Sequence, residues 1–238
     1  MWLVEDVVVV VRQLLALPDL PDRVDEDAAV LLHRLGHAEV LRLAEDQVLE
    51  EVLNVIDPAP DGRVIGMSVV MAKGHTLFIA DTNVTEMPVA EELVEIGLEA
   101  ARAVRALGYE PRVAFLSYST FGDPPGNWLE NIREAVQLLD TRGVSFEYEG
   151  EMAPDVALNP ALQKVFPFSR LTGPANVLVM PGLQTANISA KLLKELGGDA
   201  LIGPMLVGMQ QQVQIAPMTA TASDLVTLAV LAAGRIVR

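Results

Sequence analysis

The stretch Val113-Ala114-Phe115-Leu116-Ser117-Tyr118-Ser119-Thr120-Phe121-Gly122 decides the reading of the fold. Four apolar residues run into a group of hydroxyls and end on glycine. This is the pattern of a fully buried strand, here 112–117, whose carboxyl end delivers a polar loop. Downstream, the pattern alternates. A helix is expected over 127–140, a short strand over 146–148 followed by Glu149-Gly150-Glu151, and a helix over 155–165. A very apolar strand over 176–180 is broken by Pro181-Gly182, and a helix over 186–196 stops at Gly197-Gly198. Strands over 202–207 and 213–215 and a last helix over 223–235 complete the series. Upstream, strands over 64–71 and 76–80 flank the turn Lys73-Gly74 and read as an antiparallel hairpin. After Asp81-Thr82-Asn83 a helix enters at Met87-Pro88, carries Glu91 and Glu92 in its first turn, where the helix dipole favours acids, and ends at Gly108. Strands alternating with helices predict an α/β fold, a mostly parallel sheet with helices on both faces.

Residues 1–54 differ in character. A turn around Pro18 and Pro21, a helix from Asp25 to Gly36 and another over 37–54 predict a short helical N-terminal segment in front of an α/β domain spanning 55–238. His33 and His37 stand four apart, a spacing that can bind a metal, but Gly36 interrupts the helix between them and surface histidines are expected.

Composition narrows the function. The chain has 238 residues, 51% of them hydrophobic and 5% aromatic, which suits helices packed on a buried sheet. Lys+Arg total 17 against Asp+Glu 32, a net charge of −15, so binding to nucleic acid or to an anionic membrane surface is not expected. An anionic ligand would need a local pocket of backbone N–H groups or isolated basic residues. The chain contains no cysteine, which excludes disulfides, thiolate metal sites and a cysteine nucleophile and fits a cytoplasmic location. The longest apolar runs, such as Val7-Val8-Val9-Val10-Val11, fall far short of a membrane span.

In an open parallel sheet, ligands bind beyond the carboxyl ends of the strands. Three loops supply polar groups there. The first holds Ser117, Ser119 and Thr120, whose hydroxyls and N–H groups can hold a phosphate or serve as ordinary loop and cap chemistry. The second, 181–187, contains Asn187. The third, 216–224, contains Thr221 and Asp224, which can contact a ligand or simply cap the last helix. No nucleophile–base pair, phosphate-binding glycine loop or regular Ca²⁺ or Mg²⁺ spacing is visible. Glu149, Glu151 and Asp155 read as a solvated acidic face.

Several segments carry a resemblance: Val64-Ile65-Gly66-Met67-Ser68, Leu77-Phe78-Ile79-Ala80-Asp81-Thr82, the loop 113–122, Gly150-Glu151-Met152-Ala153-Pro154-Asp155, and Gly203-Pro204-Met205-Leu206-Val207-Gly208. In order and spacing the chain, from about residue 50 onward, resembles the phosphotransacetylase family, most closely its version at the C-terminus of bacterial NADP-dependent malic enzymes. The resemblance implies an isocitrate dehydrogenase-like lobe, pairing into dimers, acetyl-CoA or coenzyme A as ligand, and malic enzyme catalytic domains as partners in a longer parent. Active members carry Asp-Leu-Ser-Arg-Gly before the last helix. On that pattern Pro217 stands at the serine, Met218 at the arginine and Asp224 at the base. Methionine cannot make the bidentate phosphate contact of arginine. A non-catalytic, acetyl-CoA-sensing and dimerising domain is therefore expected, with an acyltransferase or a ligand-free oligomerisation scaffold as alternatives. Residues 1–54 are expected to replace most of the family's first lobe.

Overall fold

In the computed structural model, residues 7–11, 49, 52–54, 56–60, 62–126, 129–196, 200–211, 213–217 and 220–233 are described. The elements in chain order are β1 (Val7–Val11), β2 (Ile65–Ala72), β3 (His75–Ala80), α1 (Ala90–Ala106), β4 (Arg112–Leu116), α2 (Glu130–Arg142), β5 (Glu147–Met152), α3 (Pro154–Leu158), α4 (Pro160–Gln163), β6 (Val177–Val179), α5 (Leu183–Leu196), β7 (Ala200–Val207), β8 (Val213–Pro217) and α6 (Ala222–Ala233).

All eight strands join one sheet in the order β1-β8-β7-β2-β3-β6-β4-β5. Strands β3, β6, β4 and β5 pair in parallel, and the pairs β2–β3, β2–β7, β7–β8 and β1–β8 are antiparallel. Six of the eight strands thus point the same way, and only β2 and β8 run against them. The β2–β3 hairpin turns at Lys73 and Gly74, with φ of +50° and +78°, the paired left-handed conformation that matches the right-handed twist of two joined strands.

Period-two alternation splits the core between the two faces. Phe78, Ala80, Val113, Phe115, Val177 and Val179 face α1 and α2, while Leu77, Ile79, Ala114, Leu116 and Leu178 face the side of α3 and α5. Helix α1 reaches the sheet through Leu93, Val94, Ile96, Ala100 and Val104, an i, i+3/i+4 stripe, and its Gly97 lets the Phe115 ring approach, since an added Cβ would sit 2.9 Å from it. A third cluster, with Leu49, Val52, Ile56, Leu206, Val213 and Ile215, packs at β7 and β8.

Three expectations change. Val7–Val11 falls in the segment expected to be helical but pairs with β8 as an edge strand; five consecutive β-branched residues suit a pleated strand better than a helix. The rest of that segment's expected helices, with His33 and His37, lie outside the described residues apart from helical Leu49, Val52 and Leu53. The helix expected over 155–165 is two short helices, because Pro160 has no N–H to continue α3 and instead opens α4 under the Asn159 side-chain cap. The short strand expected over 146–148 is β5, which runs on through residues 149–151 to Met152.

Candidate functional site

Strands β3, β4 and β6 end on the same side of the sheet and present the loops 81–85, 117–122 and 181–187 at one carboxyl edge. The loop after β3 is organised by Asp81, a buried carboxylate that accepts hydrogen bonds from the N–H groups of Gly66, Asn83, Val84 and Thr85 at 2.8–3.1 Å. This close wrapping requires glycine at 66, where a Cβ would fall 2.4 Å from that of Asn83. Arg63 bridges Thr85 and Glu92 above the same edge. The hydrogen bond from the Val89 N–H and the Arg63 guanidinium hold the Glu92 carboxyl below its ordinary range.

The loop 117–122 is folded around Glu151. That carboxylate is 1% exposed and accepts from the Ser119 hydroxyl at 3.1 Å and the Gly122 N–H at 2.7 Å. It also accepts a two-pronged contact from Arg133, Nε at 2.8 Å and Nη2 at 3.0 Å. Burial alone would raise the Glu151 pKa, but the Arg133 fork and the Gly122 N–H outweigh it and hold the carboxyl below its usual value. The Ser117 hydroxyl accepts from the Ser119 N–H at 3.3 Å, and the Thr120 hydroxyl accepts from the Ala153 N–H at 3.0 Å. All three hydroxyls are thus engaged inside the protein, and Ser119 is fully buried. The loop turns Tyr118 outward, 60% exposed, while the Phe121 ring is half-buried against the core cluster on the side of α3 and α5.

The loop after β6 touches the loop after β3. Leu183 N–H donates to the Glu86 carbonyl at 3.1 Å, and a Cβ on Gly182 would sit 2.6 Å from that oxygen. Asn187 lies half-buried in α5, one turn in from its start.

The third expected loop is elsewhere. The register puts Phe115, Val179, Ala80, Met67, Met205 and Gln214 in one row across the sheet. Because β8 runs against β4, Pro217 lies on the opposite side of that row from Ser117. Five inter-strand spacings also separate β4 from β8, roughly 24 Å. Thr221 and Asp224 cap α6: Asp224 Oδ2 accepts from the Thr221 N–H and hydroxyl, both at 2.8 Å, and Asp224 N–H returns a bond to the Thr221 oxygen at 3.2 Å. The bond from the Thr221 N–H, then that from its hydroxyl, holds the Asp224 carboxyl below its usual range. Within one chain, therefore, no ligand group meets both 117–122 and the start of α6. Met218 lies outside the described residues.

Glu149 and Glu151 are not a solvated face. Glu149, 4% exposed, accepts from Arg170 Nη2 at 2.8 Å and from the Arg170 N–H at 2.9 Å. Arg170 also pairs with Asp140 and lies 4.5 Å over the Tyr148 ring. Burial, with the Tyr148–Asp140 hydrogen bond, pushes the phenol up to about 12. Glu147, Glu149 and Glu151 recur at period two, the signal of one strand face, and the partner arginines sit too far along the chain to be paired with them by spacing.

A doubly layered α/β sheet with its loops gathered at the carboxyl edge defines a ligand-binding class of fold. The chain belongs to the phosphate acetyl/butaryl transferase family, whose profile matches residues 30–233. It is 56% identical over 185 residues to an NADP-dependent malic enzyme of Rhizobium meliloti, a match covering 78% of this chain and 24% of that protein. It is 32% identical over 168 residues to a phosphate acetyltransferase of Bacillus subtilis, covering 70% of this chain and 52% of that one. A phosphotransacetylase from Streptococcus pyogenes superposes with a TM-score of 0.75 at 28% identity, over 82% of this chain and 60% of that one. The chain thus spans about a quarter of the length of its malic enzyme relative.

Proposed function

We propose that this chain is a non-catalytic, acetyl-CoA-binding and dimerising domain that acts in a malic enzyme. The observation that carries the reading is the match, at 56% identity, to a segment forming 24% of a malic enzyme. Proline at 217 supports the absence of catalysis: it offers neither a hydroxyl nor an N–H where active relatives are expected to hold phosphate. The ligand's place is the carboxyl edge formed by 81–85, 117–122 and the start of α5. There Arg63 and Arg133, each paired with a glutamate, offer further N–H donors, and the dipole at the start of α5 adds to them. Dimerisation is supported by unburied aliphatics. Helix α5 buries Ala186 and Ala190 but leaves Ile188 and Leu192 53% exposed and Leu196 82% exposed, along one ridge. In α6, Val226 and Val230 are 46% and 63% exposed.

The likeness to phosphate acetyltransferases favours one rival, an active acyltransferase. A coupled assay with acetyl phosphate and coenzyme A separates the two. No turnover is expected, and rates of order 10 per second would establish the transferase. In a thermal-shift titration acetyl-CoA is expected to raise the melting temperature, because a ligand bound only by the native state stabilises it. No shift together with no turnover would leave an oligomerisation scaffold.

A further inference from the structure

We infer that the rings of Phe121, Phe166 and Phe168 form a stacking platform for the purine-nucleotide end of the ligand, an inference that rests on the acetyl-CoA reading above. The three rings pack tilted and edge to face, with centroids 5.2 Å apart for Phe121–Phe166, 4.9 Å for Phe121–Phe168 and 6.1 Å for Phe166–Phe168. Yet Phe168 remains 65% exposed and the neighbouring Val165 68% exposed. Six phenylalanines serve the whole chain, and three of them are gathered here.

The platform is continuous with the candidate site, because Phe121 belongs to the loop that leaves β4 at the carboxyl edge. It is held in an unfavourable backbone conformation, φ +49°, which a bulky residue keeps only when its surroundings impose it. The bond from Phe121 N–H to the Glu151 carbonyl, 3.0 Å, and that from Gly122 N–H to the Glu151 carboxylate, 2.7 Å, impose it. A cation stands beside the same loop. Arg133 Nη2 lies 3.7 Å from the point a Cβ on Gly122 would occupy. Its contact with Glu151 engages Nε and Nη2, which leaves Nη1 of a side chain 39% exposed for a phosphate. An aromatic face next to an arginine is the chemistry that takes a base and its phosphates together.

The test is calorimetry on the full chain and on Phe168→Ala, with acetyl-CoA, and with S-acetylpantetheine, which lacks the nucleotide. The substitution is expected to weaken acetyl-CoA about tenfold, the scale of one lost base–aromatic stack. S-acetylpantetheine is expected to bind both forms alike, and Phe168→Trp to restore the affinity. Equal acetyl-CoA affinity in parent and Phe168→Ala would overturn the platform and leave the acetyl-CoA reading standing, as would an equal loss for both ligands. A parent chain that binds no acetyl-CoA would overturn the reading itself, and the platform with it.

Discussion

Ser119 and Glu151 show how the burial of a single side chain changes the meaning of a motif. On sequence the hydroxyls of 117–122 face a ligand as readily as they face the protein. In the fold, Ser119 is enclosed and donates to a carboxylate that also carries Arg133. Replacing Ser119 and Thr120 together by alanine is therefore expected to lower stability by about 1–3 kcal/mol, measured by urea unfolding, with acetyl-CoA affinity unchanged in calorimetry of the folded variant. A fall in affinity at unchanged stability would mean that the hydroxyls face the ligand after all. Glu151→Gln keeps the shape and removes the charge, and is expected to cost about 2 kcal/mol at pH 7 through weaker charge-assisted hydrogen bonds. Glu151 titrates lower in the folded chain than in the unfolded one. Its contribution is therefore complete above the ordinary glutamate value of 4.5 and lost as pH falls through the lower folded value. Melting curves of parent and variant should accordingly converge on acidification below about pH 4.5. A gap that stays constant down to pH 3 would contradict this assignment.

At the level of elements, two glycines separate local from tertiary demands. Gly74 is set by its turn: φ is +78° and nothing lies within 4 Å of an added Cβ. Gly74→Ala should cost only the left-handed penalty, about 1–2 kcal/mol. Gly66 lies in β2, where a Cβ would fall 2.4 Å from Asn83 Cβ and 2.9 Å from its backbone N. Gly66→Ala must push the Asp81 loop away and is expected to cost clearly more, about 3 kcal/mol or above. Chemical denaturation of the two variants gives the order, and equal costs would refute the wrapped-loop account. The Lys73-Gly74 hairpin was legible because its chemistry is local. The same holds for α1, whose apolar stripe is uninterrupted over its length. The length of strand β5 was not, because Glu149 and Glu151 look like solvent-facing residues until Arg170 and Arg133 arrive from distant positions. The five valines of β1 carried a strand signal in their β-branching, but which edge they pair with, here β8, is a tertiary choice.

For the whole molecule, α5, like α6, leaves aliphatic side chains unpacked among the described residues. A helix that seats only two alanines on the sheet and turns an aliphatic ridge outward is suited to a second copy of the chain. Light scattering is expected to give twice 25.6 kDa at micromolar concentration. Leu192→Asp should return the mass to one chain without lowering the monomer's stability, because that side chain is half exposed. A parent chain of 25.6 kDa would refute the pairing. By itself the sequence determined the α/β class, the order of strands and helices along most of 55–238, the hairpin, the hydroxyl-rich loop and the family. These follow from hydrophobic period, turn residues and local caps, which act over a few residues. Only the tertiary structure decided that β8 runs against most of the other strands, that the 117–122 loop and the start of α6 lie at opposite ends of the sheet, and that Glu149 and Glu151 are buried. Each of those depends on which distant strand or arginine a residue meets, and that choice is made by burial and charge pairing in the assembled core.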